Sequence, residues 1–241
     1  MEIQEREESK ARIVRASIQL FSSKGYDAAS INEIAEAAEV NKALIYYYFK
    51  SKEGILDHLI SSLMDDFSAI AMQFVNTSIV KMIKDGRLDI EADRMRFSSQ
   101  EAIAFFIESC HTFYTRVFDY MLEQRSIIRI MMLESLKNGK HHNALFRFLA
   151  LLQGSMENPL FKTIWEADRD LQYSQNTVLF KFFFSLIPLV STAVYYDDYR
   201  KMTGMGEQQF REGLTHAYSI LIKSVVSGTE ILFQDQVTDG K

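Results

Sequence analysis

Residues 30–53 read Ser30-Ile31-Asn32-Glu33-Ile34-Ala35-Glu36-Ala37-Ala38-Glu39-Val40-Asn41-Lys42-Ala43-Leu44-Ile45-Tyr46-Tyr47-Tyr48-Phe49-Lys50-Ser51-Lys52-Glu53. Ser30 followed by Glu33 is a capping-box pattern, so a helix should start at Ile31, with Ile34, Ala35 and Ala38 beside it on the inner face. Asn41 suits the N-cap of a second short helix. In that helix Ile45 and Phe49, four apart, belong to a core. Two capped short helices with a tight turn between them, the second closed by lysines, form a helix-turn-helix. That element lays its second helix in a DNA major groove.

Outward from this stretch the chain reads as helices. Upstream, Ile13, Ala16, Leu20 and Phe21 stripe a helix from about Ser9 to Lys24, with Gly25 at its C-cap position; residues 1–8 are expected to be frayed. Downstream, Ser51 caps a helix from Lys52 to about Lys84. Residues 85–98 are charge-rich and read as a connecting loop. Ser98 or Ser99 then caps a long helix to about Arg125, whose main stripe is Ile103, Phe106, Cys110, Phe113, Val117 and Met121. Phe105, Ile107, Tyr114, Phe118 and Leu122 extend its apolar surface, which implies burial on several sides.

Further helices are expected over Ser126–Lys137, between His142 and Gln153, and over Asn158–Leu171 with Pro159 in its first turn. The last two should run from Gln175 to Met202, with a kink at Pro188, and from Glu207 to about Leu232. No alternating strand pattern is apparent, so the expected fold is all-α.

The formal net charge of −5 over 241 residues excludes a protein that coats nucleic acid over its whole surface, but not a local DNA footprint. Residues 9–52 carry Lys10, Arg12, Arg15, Lys24, Lys42, Lys50 and Lys52 against Asp27, Glu33, Glu36 and Glu39, a local excess of three positive charges. One cysteine, Cys110, excludes an internal disulfide and fits a reducing, intracellular compartment. The polar N-terminus is no secretory signal. The most apolar run, Phe182–Tyr196, is 15 residues long and contains Pro188. A membrane span needs roughly 20, so a buried helix and no membrane are expected.

In the helix-turn-helix, Ser30 places a helix N-terminus where a phosphate can dock, and Asn32 lies close by. The early residues of the second helix, Asn41, Lys42, Ala43 and Leu44, point into the groove in this motif. Lys42 can bond a guanine or a phosphate, while Ala43 and Leu44 suit a thymine methyl. Tyr46, Tyr47 and Tyr48 span most of a turn, so at least one ring should be buried while others offer hydroxyls to phosphates. Lys50 and Lys52 can neutralise backbone charge.

Residues 10–60 resemble the N-terminal domain of the TetR family of bacterial transcription regulators. The likeness runs through Ile13 with Ala16, Leu20-Phe21, Gly25-Tyr26, Ile34-Ala35, Ala38, Val40 and Ile45 through Glu53. By that resemblance Ser30 and Asn32 stand at the DNA-facing start of their helix. Lys42, Ala43, Leu44, Tyr46 and Tyr47 match groove-facing positions, and Tyr48 and Lys52 match phosphate contacts. The resemblance implies a three-helix DNA-binding domain over residues 1–55. It implies a helical ligand-binding and dimerisation domain over 56–241, in a cytoplasmic protein.

For that second region the chain supplies many aromatics and methionines, which suit an adaptable apolar pocket. The expected ligand-facing set is Phe67, Phe74, Phe105, Phe106, Tyr114, Phe118, Met131, Trp165 and Phe183. Glu108, His111 and Glu134 would fix a polar end. Phe210, Leu214, Ala217, Leu221 and Val225 form a seam for pairing with a second copy. No metalloprotease, nucleotide-loop or dinucleotide motif is present, so no enzyme, metal or cofactor is expected. The expected function is a ligand-responsive regulator, most simply a repressor that binds a palindromic operator as a homodimer and is released by a small apolar effector. An activator, or a hydrophobic-ligand carrier with a relic helix-turn-helix, are the alternatives.

Overall fold

The computed structural model describes residues 2–91, 94–172 and 174–226. These form an all-α fold with one small hairpin. Helix α1 spans Glu2–Lys24, α2 Ile31–Ala37, α3 Lys42–Phe49 and α4 Lys52–Phe74. After α4 the chain continues through a π-helical segment, Val75–Val80, into α5, Lys81–Lys84. α6 covers Gln100–Glu123 and α7 Arg125–Ser135; a 3-10 segment, Ala144–Leu151, and α8, Pro159–Ala167, follow. Then come α9, Gln175–Phe180, a second π-helical segment, Lys181–Leu186, α10, Ile187–Thr203, and α11, Glu207–Val226.

Two compact units are present. The first comprises the chain up to Ala69, Tyr120–Ala150 and Phe182–Tyr196. Its core includes Ile13, Ala16 and Phe21 of α1, Ile34 and Ala35 of α2, Ile45 and Phe49 of α3, and Ile55, Leu56 and Leu59 of α4. α7 packs on α1 with Ile127, Ile128, Ile130 and Met131 buried. The Tyr120 hydroxyl donates to Asp66 at 3.0 Å.

The second unit comprises, among the described residues, Ile70–Asp119, Leu151–Lys181 and the chain from Asp197 to Val226. Its apolar residues fall in two clusters. Ala71, Val75, Val80, Leu160, Phe161, Ile164 and Leu171 form one. Met82, Leu88, Ala102, Phe106, Cys110 and Ile222 form the other. Burial pushes the Cys110 thiol up to about 12, so it behaves as a core residue.

The segment read as a loop, 85–98, is a correction to the sequence reading. Strands β1, Leu88–Glu91, and β2, Arg94–Phe97, pair antiparallel, with Leu88 opposite Phe97 and Ile90 opposite Met95. The apolar residues alternate with charged ones, and the register sets Asp89 against Arg96 and Glu91 against Arg94. The opposite charges of Asp89 and Arg96, and the apolar pairs Leu88–Phe97 and Ile90–Met95, stabilise a short ladder. The hairpin is further held by Asp168, whose carboxylate accepts from the Ile90 N–H at 3.1 Å.

Two other expectations also differ from the structure. α1 begins at Glu2 rather than Ser9, and the Arg6 carbonyl is held by the Tyr48 hydroxyl at 3.0 Å. The segment expected as a helix after His142 is a 3-10 turn run. The long helix expected from Gln175 to Met202 is present, Gln175–Thr203, over 29 residues. The wider π turns of Lys181–Leu186 lie just upstream of Pro188, which has no N–H to donate.

With a mean hydropathy of 1.8 over its most apolar 18-residue window, this 29-residue helix is by length and composition apolar enough to cross a membrane. It is not the buried helix expected, since only 28% of its apolar window is buried within the chain. Leu179, Phe183, Phe184, Tyr195, Tyr199 and Met202 stand exposed along it. The expected extension of α11 to Leu232 lies outside the described residues.

Candidate nucleic-acid interface

The reader is built from α2 and α3 on a bed of α1 and α4. The capping box at Ser30 is complete: the Glu33 N–H donates to Ser30 Oγ at 3.3 Å, and the Ser30 N–H donates to the Glu33 carboxylate at 2.9 Å. Lys24 also bonds Glu33. Lys24 first, then Ser30, lowers the Glu33 carboxyl from 4.5 to about 2. Glu39 turns the chain between the helices with φ 53°, a left-handed conformation. Asn41 Oδ1 accepts the Ala43 N–H at 2.9 Å and caps α3.

Burial then sorts the side chains of α3. Ile45 and Phe49 are fully inside. Lys42, Ala43, Tyr46 and Tyr47 are exposed, Leu44 is half-buried, and Tyr47, at 62%, is the most open of the three tyrosines of this helix. Asn32 and Ser30, at the start of α2, are exposed too. Lys50 is exposed and ends α3 at φ 67°.

Two residues matched to phosphate contacts are engaged within the chain. Tyr48, half-buried with its ring edge-on to Tyr47 at 5.1 Å, gives its hydroxyl hydrogen to the Arg6 carbonyl. Lys52 donates to the carbonyls of Tyr26 at 2.9 Å, Asp27 at 3.1 Å and Ala29 at 2.9 Å, and lies 4.6 Å from the centre of the Tyr26 ring. An ammonium has three hydrogens to give, so Lys52 in this state holds the loop between α1 and α2.

Gly54 went unnoticed in the sequence reading. A Cβ on Gly54 would lie 1.8 Å from the Phe49 carbonyl oxygen, so only glycine lets the end of α3 close onto α4. A second unread feature ties the reader to the residues after α7. Lys140 pairs with Glu53 at 3.1 Å and with Asp57 at 3.5 Å, while Lys137 bonds both Asp27 and Glu134.

The residues expected to face a ligand are divided between the two units. Phe67 packs edge-on against Phe148 at 5.6 Å, Met131 and Glu134 are buried near α1, and Phe183 is exposed. Phe106 lies in the core, Glu108 is exposed, and Trp165 carries the Arg169 guanidinium 3.9 Å from its ring centre. His111, Tyr114 and Phe118 line a crevice of about 10 Å³ with Leu214 and Tyr218. Only Phe74 and Phe105 border a larger cavity, of about 250 Å³.

Of the expected pairing seam, Phe210 stacks 6.2 Å from Phe118 and Leu214 borders the crevice. Ala217 is exposed and Leu221 half-buried. The side chain of Val225 lies outside the described residues.

Residues 13–59 match the family model described as "Bacterial regulatory proteins, tetR family". The HTH-type transcriptional regulator YttP of Bacillus subtilis is 42% identical over 60 residues, 25% of this chain and 29% of that protein. The negative transcriptional regulator of the Staphylococcus aureus biofilm operon, IcaR, is 36% identical over 69 residues, 29% of this chain and 37% of that one. The aligned part of the chain thus spans about a third of the length of these relatives. The fold extends the likeness further. A Mesorhizobium loti protein assigned to the TetR family superposes with a TM-score of 0.56 over 92% of this chain and 96% of its own, at 16% identity. Residues 13–59 are thus a helix-turn-helix domain of the TetR type, and the chain shares its fold with a protein assigned to that family.

Proposed function

We propose that the chain is a ligand-responsive transcriptional regulator, acting in the cytoplasm as a homodimeric repressor on a palindromic operator. The observation that carries this reading is the sorting of α3. Ile45 and Phe49 anchor the helix, and Lys42, Ala43, Tyr46 and Tyr47 are left facing outward. Lys42 would bond a guanine or phosphate, Ala43 and Leu44 would meet thymine methyls, and the two tyrosines would border the backbone. Ser30, Asn32 and Asn41 would present the helix N-termini to phosphates.

Pairing with a second copy is supported by the apolar side chains left open on Gln175–Thr203. Two copies would set two α3 helices on half-sites roughly 34–36 Å apart. Residues 1–55 would read DNA and 56–241 would sense and pair. An effector would favour a conformation in which the two readers no longer match the operator, to the extent that it binds that state better. α4, which starts beside α3 and continues towards the cavity, is the natural lever.

A reporter fused to the DNA upstream of the protein's own gene tests the reading. Expression should rise when the gene is deleted and fall when it is restored. A fall on deletion would mean an activator, and no change with either would sink the regulatory reading for that site.

A further inference from the structure

The 250 Å³ cavity lies inside the second unit, between the Ile70–Ser78 stretch and α6. Its lining is of two kinds. Phe74, Phe105 and Phe113 give one apolar wall, with Phe74 and Phe113 stacked 4.6 Å apart. Gln73, Thr77, Ser78, Ser109, Thr112 and Arg116 give the other. The π-helical segment begins in this wall; such wider turns recur where helices form sites.

Among the described residues, Arg116 is the one charged residue of the lining and no carboxylate borders the cavity. Its guanidinium bonds the Gln73 side-chain oxygen, and among the described residues it makes no ion pair. A guanidinium carries five N–H donors in a planar fork matched to a carboxylate. One neutral partner therefore leaves most of that capacity, and the whole charge, unanswered. The expected ligand had its polar end held by Glu108, His111 or Glu134, of which none borders this cavity.

We infer that the cavity binds a compact amphipathic anion, an aromatic ring carrying a carboxylate on a short arm, with Arg116 taking the carboxylate and the phenylalanine wall taking the ring. This rests on the reading of the chain as an effector-sensing regulator and specifies the effector's chemistry. A cavity of roughly 150 Å³ holds benzene, so 250 Å³ has room for one ring and a short acid arm. The bidentate fork selects an anion over its neutral isostere because, among the described residues, the guanidinium has no other counter-charge. The threonine and serine hydroxyls can accept or donate around the arm.

Calorimetric titration of the full chain with 3-phenylpropanoate and with 3-phenylpropanamide tests this. The acid should bind at least ten times more tightly than the amide. Arg116→Gln, at an exposed position, should abolish that preference, and Thr112→Trp, which fills the cavity from its rim, should remove both ligands. Equal binding of acid and amide, no binding of either up to millimolar concentration, or an unchanged preference in Arg116→Gln overturns the inference. DNA binding measured on the same preparations keeps the two readings apart. Operator binding without acid binding defeats only the ligand assignment, and Arg116-dependent acid binding without operator binding defeats only the regulatory one.

Discussion

Lys137 Nζ lies 2.8 Å from Asp27 Oδ2, joining the loop after α1 to the turn after α7 across 110 residues of sequence. The same ammonium bonds Glu134, and the two carboxylates differ in setting: Asp27 is open to water and Glu134 is buried. Water can replace Lys137 at Asp27 but not at Glu134. Lys137→Ala should therefore destabilise the chain by roughly 1–2 kcal/mol, as expected for a buried polar group left without its partner, whereas Asp27→Asn should leave the urea midpoint in place. Equal shifts for the two variants would mean that Glu134 does not depend on Lys137.

The contact between Gly54 and the Phe49 carbonyl predicts a sharp size limit. Since the clash at 1.8 Å is with backbone, it cannot be relieved by turning a side chain. Gly54→Ala should cost roughly 2–3 kcal/mol by overpacking and displace α3, weakening DNA binding as well. Urea denaturation alongside DNA titration checks both. An unchanged midpoint would show that α4 can shift away freely.

Lys52 gives its three hydrogens to carbonyls of the loop before α2. Lys52→Met keeps the length of the side chain but removes these charge-assisted bonds, and should lower DNA-free stability by roughly 1.5–3 kcal/mol. Stability unchanged in Lys52→Met would contradict the loop-holding role. Its DNA salt slope tells a second thing: a phosphate contact by Lys52 would lower the slope by about one, while a lysine that only holds the loop would leave it as it is.

Glu33 makes the capping box sensitive to acid. Its carboxyl is lowered from 4.5 to about 2, so its stabilising contribution is complete above pH 4.5 and is lost as pH falls towards 2. Wild type should exceed Glu33→Gln in stability above pH 4.5, and the two should converge near pH 2. Denaturation midpoints across that range provide the check, and a constant gap would rule out Glu33 as the titrating group.

Local signals made the reader legible. Ser30 with Glu33 and Asn41 before α3 name their helix starts because capping is chemistry between near neighbours in sequence. Ile45 and Phe49 name the core face of α3 because helical spacing places them together. What escaped depends on distant partners. Gly54 matters only because the Phe49 carbonyl presses on it, and the carbonyls bonded by Lys52 lie 23 to 26 residues away.

In the 85–98 stretch the alternation was present, in Leu88 and Ile90 and again in Met95 and Phe97. Each strand is only four residues long, and the charges between the apolar positions masked the period. The cavity escaped for another reason. Arg116 shares α6 with the aromatic stripe, but the neighbours that make it a site, Gln73 and Thr77, come from a helix whose widened turns no spacing rule announces.

The central claim is that the outward face of α3 reads DNA. It is tested most directly by fluorescence anisotropy of the purified chain on DNA flanking its own gene, over a series of salt concentrations, with Tyr47→Ala in parallel. Saturable binding to one palindrome, with affinity falling steeply with salt and weakened at least tenfold in Tyr47→Ala, is the predicted result. Salt-independent or wholly unspecific binding by the folded protein, or a Tyr47→Ala variant that binds as well as wild type, would contradict it.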